Sequence, residues 1–356
     1  MSSPEPGAAA DERPVTIYTV ADRAGVSIAT VSRVLRGTTP TSPVTRRKVL
    51  QAVEDLDYIP LRAARKVDVP RHQTHGLVLP GLVGPYYSEL LTGFESAAAR
   101  LGQSVVIQLA GPQVDLEGAV RRLLARVDGV VLANDTVSDS FVRAVCRGTP
   151  TVLIARNPVL GCDAVLVENQ DASRELTEHL LGHDRRRLVF LGDPADSHDV
   201  TERYAGFREA LTGAGVEETR PPVRLRLEEQ SGPAAVQALL EVPDLDGVVC
   251  ANDELAVSVL SLLSRRGVRV PDDVAVTGFD DIMTARFVPP GLTTVRQPTR
   301  AVGHWAAIRL HERIEGRTYD VHPQVLPTTL VTRGSCGCAW DGPSLPAATA
   351  PLVEHA

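Results

Sequence analysis

The sequence predicts an α/β protein, with a short all-α module at the N-terminus and a large body built on doubly wound parallel sheet. Three observations carry this. From Thr16 to Tyr58 the apolar residues recur at helical spacing in three short pieces. From His75 onward, β-branched apolar runs alternate with helical stretches, the order of parallel βαβ units. Within the body two elements repeat in the same order. Asp128-Gly-Val-Val-Leu-Ala-Asn-Asp135 returns as Asp246-Gly-Val-Val-Cys-Ala-Asn-Asp253, 118 residues later. Gly93-Phe-Glu-Ser-Ala returns as Gly206-Phe-Arg-Glu-Ala, 113 residues later. The body therefore reads as two similar α/β halves.

Taken in order, residues 1–13 are rich in Pro, Ala, Gly and acids and read as a disordered arm. Residues 14–60 form the helical module, and the charged stretch 61–74 is a connector. In the body, 75–340, strands are expected at Gly76–Pro80, Ser104–Leu109, Gly129–Leu132, Thr151–Ile154, Leu188–Leu191, Val223–Leu227, Gly247–Cys250 and Val274–Gly278. Residues 341–356 are Pro/Ala-rich, carry no leucine heptads and read as a disordered tail. In sheets of this kind ligands sit beyond the carboxyl ends of the strands, and paired halves place that crevice between them. Both Asn-Asp dipeptides lie at that end, as does Asp280-Asp281 after Val-Ala-Val-Thr-Gly-Phe.

A chain of 356 residues holds two to three domains at about 100–200 residues each. With 43% apolar and 23% charged residues it can bury a sizeable core, which excludes wholesale disorder, collagen-like sequence and disulfide-rich mini-scaffolds. A membrane helix needs about 20 apolar residues in a row. The best uncharged stretches, Gly76–Ser88 and Leu255–Ser264, are too short. The opening Met1-Ser-Ser-Pro-Glu-Pro has no apolar run of a secretory signal, so the expected compartment is the cytoplasm, with no membrane contact. Charge is uneven. Residues 1–71 carry 11 Lys/Arg against 8 Asp/Glu, whereas residues 72–356 carry 26 against 36. A basic module on an acidic body suggests a polyanion contact confined to one end, the plain alternative being a solvated face.

Enzyme signatures fail. Lys48 and Lys66 are the only lysines, and neither lies in a phosphate-binding loop. Gly25-Val-Ser27-Ile-Ala29 lacks the second glycine and the preceding strand of a nucleophile elbow, and Ser27 reads better as a helix cap. His183-Asp184 lies in a polar helix–strand turn. Disulfides are not expected among five cysteines of a cytoplasmic chain. Cys336-Gly-Cys338 is the only close pair, with neither a second pair nor a histidine nearby in sequence, and it reads as a tail without a role. No catalytic residue, metal or cofactor is expected.

The N-terminal module does carry a specific pattern: Ile17, Val20, the small Ala21, Ala24, a turn at Gly25, then Val26, Val31 and Val34. Ala21 is small where a second helix crosses, Gly25 permits the left-handed turn and Ser27 caps the next helix. This is a helix-turn-helix, whose second helix enters the major groove. Arg33 is suited to guanine, and Ile28 and Ala29 to thymine methyls. Tyr18, Ser27, Thr30, Ser32 and Thr45 supply hydroxyls suited to phosphates. A double-stranded DNA operator is thus the expected partner.

Thr16-Ile-Tyr-Thr-Val-Ala-Asp-Arg-Ala-Gly-Val-Ser-Ile-Ala-Thr-Val-Ser-Arg-Val-Leu, followed by Tyr58-Ile-Pro60 and Ala64-Arg65, resembles the headpiece and hinge of the lactose/galactose repressor (LacI/GalR) family. The body resembles it too, in Glu202-Arg-Tyr-Ala-Gly-Phe207, Ala251-Asn-Asp-Glu254, Val270-Pro-Asp-Asp through Asp281, Leu292-Thr-Thr-Val295 and Arg333-Gly-Ser335. The resemblance implies a hinge helix and a periplasmic-binding-protein-like ligand and dimerisation domain. Its N-subdomain would span about 75–166 and 299–324, and its C-subdomain about 167–298 and 325–340. It further implies a homodimer on a pseudo-palindromic operator and a small effector, foremost a sugar. Arg203 and Asp280 would bind effector hydroxyls, with Asn252 and Gln297 beside them and Tyr86 and Tyr87 as an aromatic wall. Ala64 and Val67 would reach the minor groove. Helix capping by Asp280 or Asp281 and core burial of the tyrosines are the plain alternatives.

The chain departs from the family pattern at Leu61, where Asn is usual, and at Val67, where a leucine normally wedges into the minor groove. Gly84-Pro-Tyr86-Tyr87 lacks the usual Asn, Ala155 stands where an acid usually ends its strand, and Gly291 is extra. The rival readings are a nucleoside- or purine-responsive or corepressor-dependent regulator and, in a different class, a solute-binding protein without DNA function.

Overall fold

The computed structural model describes residues 16–36, 41–56, 71–111, 114–317, 323–340 and 342. The expected arm at 1–13, the tail apart from Gly342, and Leu61, Ala64 and Val67 lie outside the described residues.

Three helices open the chain: α1 (Ile17–Ala24), α2 (Ile28–Arg36) and α3 (Pro43–Asp55). Each start is held by hydroxyls. Thr16 and Thr19 cap α1 reciprocally. Ser27 Oγ accepts from the Thr30 amide (3.2 Å), and Ser42 Oγ accepts from the Thr45 amide (3.1 Å). Gly25, left-handed at φ 65°, ends α1 and turns the chain into α2. Val20, Ala21 and Ala24 pack against Val31 and Val34 of α2 and Val49, Ala52 and Val53 of α3. That is the core the spacing predicts.

The first half of the body runs β1 (Thr74–Leu79), α4 (Pro85–Arg100), β2 (Ser104–Leu109), α5 (Leu116–Leu124), β3 (Gly129–Ala133), α6 (Asp139–Cys146), β4 (Thr151–Ile154) and β5 (Asp163–Val167). The second half runs α7 (Gln170–Gly182), β6 (Leu188–Leu191), α8 (His198–Gly213), α9 (Gly232–Leu240), β7 (Gly247–Cys250), α10 (Asp253–Arg265), β8 (Ala275–Thr277) and β9 (Thr294–Arg296). The chain then returns through α11 (Thr299–Ile314) and β10 (Pro323–Leu326) to β11 (Thr329–Val331). One sheet has the order β10-β5-β4-β3-β1-β2, the other β6-β7-β8, and every pair in both is parallel. The antiparallel pair β9–β11 adjoins the second sheet through the single parallel bridges Thr277–Thr293 and Asp280–Arg296. The path therefore crosses between the halves three times: after β5, between β9 and α11, and between β10 and β11.

The repeated sequences do the same job twice. Asp128 accepts the amides of His72 and Thr74 at the start of β1, and Asp246 accepts those of Arg186 and Arg187 before β6. Each aspartate thus ties the central strand to its neighbour. Gly93 lets α4 press onto α11, because a Cβ there would lie 2.0 Å from the Arg300 carbonyl. Gly206 lets α8 press onto α7, where a Cβ would lie 2.0 Å from the Gln170 carbonyl. The following Phe94 and Phe207 are fully buried.

Two expectations fail. Val223–Leu227 is not a strand; only Val223 pairs, with Leu191, and by Leu227 the chain is turned so that its carbonyl accepts the Asn252 amide (3.1 Å). Cys146 and Cys162 form a disulfide, with Cα atoms 6.0 Å apart, where none was expected. The end of α6 and the approach to β5 meet across β4, a proximity created by the sheet and invisible in the 16-residue spacing. The short strands β5, β9, β10 and β11 also escaped the reading of apolar runs.

His75 on β1 is fully buried, and neither ring nitrogen meets a partner among the described residues. Burial lowers its pKa to about 4, with His311 adding to the effect. The folded state therefore keeps it neutral while the unfolded chain protonates near pH 6.5. Stability present above about pH 6.5 is lost as pH falls toward 4, by about 3 kcal/mol in all. Acid titration of the unfolding free energy should show this limb, and His75→Leu should flatten it. An unchanged limb in that variant would assign acid sensitivity to other groups.

Candidate DNA interface and effector crevice

On the N-terminal module, Tyr18 is 64% exposed at the start of α1, and Ile28, Ala29 and Arg33 are exposed along the first turns of α2. Their positions opposite Val31 and Val34 leave one face of α2 free. Ser27 is exposed, while Thr30, Ser32 and Thr45 are half-buried. Ser27 and Thr30 share a hydroxyl contact at 2.9 Å, so part of their hydrogen-bonding capacity is spent on the helix start. Arg33 lies along its own helix, donating from Nε to the Ala29 carbonyl (3.2 Å) and from Nη2 to Thr30 Oγ1 (3.5 Å). These are weak, exposed contacts that a base edge can replace. No acid sits in the first turn of α2, so the partial positive charge of its N-terminus is left for an anion. Ala64 and Val67 lie outside the described residues.

The second candidate region is where the halves meet. Tyr86 and Tyr87 stand at the start of α4 with ring centroids 5.1 Å apart and edge to face. The Tyr87 hydroxyl donates to Asn134 Oδ1 (3.3 Å) at the end of β3. Burial first, then the nearby Asp199 and Asp280, push both phenols above their usual range. The charge of second-half acids is thus felt at the first-half tyrosines. A Cβ at Gly84, which has φ 82°, would lie 1.6 Å from Glu254 Oε1. A side chain at this position would have to displace the flexible end of Glu254. A cavity of about 490 Å³ opens beside this contact, between Val83–Pro85 and Glu228, Glu229 and Ser258.

Arg203 on α8 is 4% exposed, with Nε and Nη1 hydrogen-bonded within the fold and Nη2 left to an ion pair. Its Nε donates to Asn169 Oδ1 (2.8 Å), Nη1 to the Ala251 carbonyl (2.7 Å), and Nη2 faces Asp199 Oδ2 (3.7 Å). The guanidinium carbon sits 3.8 Å from the centroid of Phe279, a cation–π stack. Asn169 in turn donates to Asp199 Oδ1 (3.1 Å). Asn169 and Asp199 were missed because neither belongs to a recognisable motif; only the fold brings them to Arg203.

Asp280 and Asp281 separate cleanly. Asp281 has a fully buried side chain that accepts from Arg286 (3.3 Å), Arg296 (2.6 Å) and Arg333, so it is structural. Asp280 is half-buried and strained at φ 123°, and its Oδ1 accepts from Gln297 Nε2. Burial raises its pKa well above the carboxylate range, with the Arg203 charge opposing. Gln297 Oε1 meets no partner among the described residues. Asn252, expected to bind effector, caps α10 instead: its Oδ1 accepts from the Leu255 amide (3.1 Å) and its Nδ2 donates to the Leu227 carbonyl. Both ends of that amide are committed to the fold.

A third cluster corrects the reading of the terminal cysteines. His179 and His183, from the last turn and cap of α7, lie against Cys336 and Cys338, and all four ligand atoms are within 4.8 Å of one another. No motif showed this, because the two pairs are separated by more than 150 residues.

Residues 16–60 match the family described as bacterial regulatory proteins, lacI family, and residues 177–336 match the periplasmic binding protein-like domain. The chain is 34% identical over 332 residues to the HTH-type transcriptional regulator CelR of Thermobifida fusca, covering 90% of this chain and 98% of that relative. Among solved structures it is similar to a CelR–cellobiose complex, with TM-score 0.70, 33% identity and coverage of 91% and 100%. It is also similar to a lac repressor dimer bound to operator and the anti-inducer ONPF, with TM-score 0.68, 28% identity and coverage of 91% and 99%.

Proposed function

The chain belongs to the LacI family of DNA-binding transcription regulators, and from that premise we propose that it is a cytoplasmic repressor whose grip on a pseudo-palindromic operator is set by a sugar. Residues 14–60 are the DNA-binding headpiece, 61–74 the hinge, and 75–340 the effector and dimerisation domain. The protein carries out no catalysis. It acts as a homodimer, as the lac repressor does in its operator complex.

One observation carries the effector reading. The start of α4, which carries Tyr86 and Tyr87, meets the second half where Gly84 lies against Glu254, beside a cavity of about 490 Å³, and the charge of Asp280 is felt at both tyrosines, so one polar ligand can touch both halves. A sugar ring suits that pairing. Its hydroxyls donate to Asp280 and Gln297 Oε1 and accept from guanidinium, and its apolar face lies on tyrosine rings. The cellobiose bound by the related CelR is of this class. Tyr86, Tyr87, Arg203, Asp280 and Gln297 form the proposed effector set, and Asn252 is left out because it caps α10. Closure on a ligand alters the relation of the two halves, and with it the spacing of the headpieces. DNA and ligand then favour different arrangements, the differential affinity that coupling requires.

On the DNA side, Tyr18, Ser27, Ile28, Ala29, Thr30, Ser32, Arg33 and Thr45 form the proposed contact set, continued by Ala64 and Val67 of the hinge. Arg33→Ala should cost operator binding about 1–3 kcal/mol while leaving non-specific DNA binding and effector affinity near wild type. Gel-shift titration against operator and scrambled duplex, with and without cellobiose and a panel of other sugars, tests both halves of the proposal. Equal affinity of Arg33→Ala and wild type for both duplexes would remove Arg33 from base reading. A ligand-independent operator affinity across the panel would remove sugars as effectors.

A further inference from the structure

We propose that His179, His183, Cys336 and Cys338 form a closed zinc site that ties the end of the second half to the C-terminal end of α7. The site shares no residue with the proposed effector set. Its four ligand atoms come from two segments that the fold brings together, and all lie within 4.8 Å of one another. His179 Nε2 is 3.2 Å from Cys336 Sγ and 3.5 Å from Cys338 Sγ, and His183 Nε2 is 3.3 Å from Cys338 Sγ. Tetrahedral zinc, with Zn–S near 2.3 Å and Zn–N near 2.0–2.1 Å, sets neighbouring ligand atoms roughly 3.3–3.8 Å apart. The three nitrogen–sulfur separations lie within or just below that range and the remaining ligand pairs within 4.8 Å, so small side-chain shifts complete a coordination shell in which each histidine offers Nε2.

Both segments are shaped for the task. His179 and His183 are four residues apart, so they share one face at the end of α7, with ring centroids 4.8 Å apart. Between the cysteines, Gly337 adopts φ 108°, a conformation that lets a Cys-x-Cys turn present both sulfurs to one point. A side chain at Gly337 would also approach His183 Nδ1, with Cβ at 3.6 Å. An outer partner is present as well, for the Thr293 hydroxyl donates to Cys336 Sγ (3.1 Å), the support that metal-bound thiolates receive. Two thiolates and two imidazoles in a tetrahedron select zinc over magnesium or calcium, and four protein ligands leave no open position, which makes the site structural rather than catalytic.

Full-length protein from zinc-supplemented cells, purified without chelators, should carry about one zinc per chain. Removing it with a chelator should lower Tm, and zinc should restore Tm. Apo-protein titrated with Co(II) should develop the thiolate-to-metal charge-transfer band and intense d–d bands of a tetrahedral site. Cys338→Ser and His183→Ala should each lose the zinc. Because these variants could misfold, alkylation of the wild type is the second readout: Cys338, which is half-buried, should react only after chelation, with Cys336 shielded by the fold in both states. Reduced wild-type protein that holds no zinc, and gives no charge-transfer band with Co(II), overturns the proposal. Isolation with a Cys336–Cys338 disulfide in place of metal overturns it too.

Discussion

Arg203→Ala is expected to abolish measurable effector binding and, in addition, to destabilise the protein by about 3–5 kcal/mol, the cost of removing one member of a buried ion pair. The second effect is what the structure adds. From sequence, Arg203 is an effector ligand only. In place, its guanidinium is shared among Asn169, the Ala251 carbonyl, Asp199 and the Phe279 ring. Truncation strands a buried carboxylate, a carbonyl and an amide oxygen together. Total stability is typically only about 5–15 kcal/mol, so the loss will register as a large drop in Tm. Arg203→Lys keeps the charge but cannot serve Nε and both Nη positions at once, and it should recover part of the stability with little of the binding. Denaturant melts paired with calorimetry separate the two effects. A melt like that of wild type for Arg203→Ala would show that the arginine is not the structural tie described.

The headpiece was legible in the sequence because its determinants are local. Spacing of Val20, Ala21, Ala24, Val31 and Val34 within two helices, a glycine at a left-handed turn and hydroxyl caps are all encoded within a few residues. The doubly wound body was legible from alternation, and the internal repeat pointed to real equivalence: Asp128 and Asp246 tie strands alike, and Gly93 and Gly206 permit equal helix contacts. What escaped depends on distant segments. Asn169 and Asp199 meet at Arg203, Cys146 meets Cys162 across a strand, and His179 and His183 meet two cysteines from the far end of the chain. Asn252 misled for the opposite reason. Its place beyond a strand suits a ligand and a helix cap equally, and the Leu255 amide and the Leu227 carbonyl take both ends of the side chain.

Asp280→Asn and Asp281→Asn, one residue apart, should have opposite outcomes. Asp281 is enclosed by Arg286, Arg296 and Arg333. Neutralising it leaves three guanidinium groups about one carbonyl, two of them largely buried, and should cost about 3–5 kcal/mol of stability. Asp280 stands the other way. Burial raises its pKa well above the carboxylate range, so the folded state holds a proton the unfolded chain has already released. The stability this contributes is present below the ordinary carboxylate pKa and is lost as pH rises through the raised one. An ionised Asp280 is therefore a burden on the empty crevice at the top of that range, and Asn at this position should leave stability unchanged or raise it. A hydroxyl bonds more strongly to the ionised carboxylate than to the acid, so ligand binding favours loss of that proton. Losing that bond, at about 1.5–3 kcal/mol, weakens effector binding roughly 10- to 150-fold. Chemical denaturation across pH 5–9 and calorimetry with the effector read the two variants side by side. If Asp280→Asn destabilises as much as Asp281→Asn and binds effector like wild type, the strained φ at Asp280 serves the fold, and the proposed set must be rebuilt around Gln297 and the tyrosines.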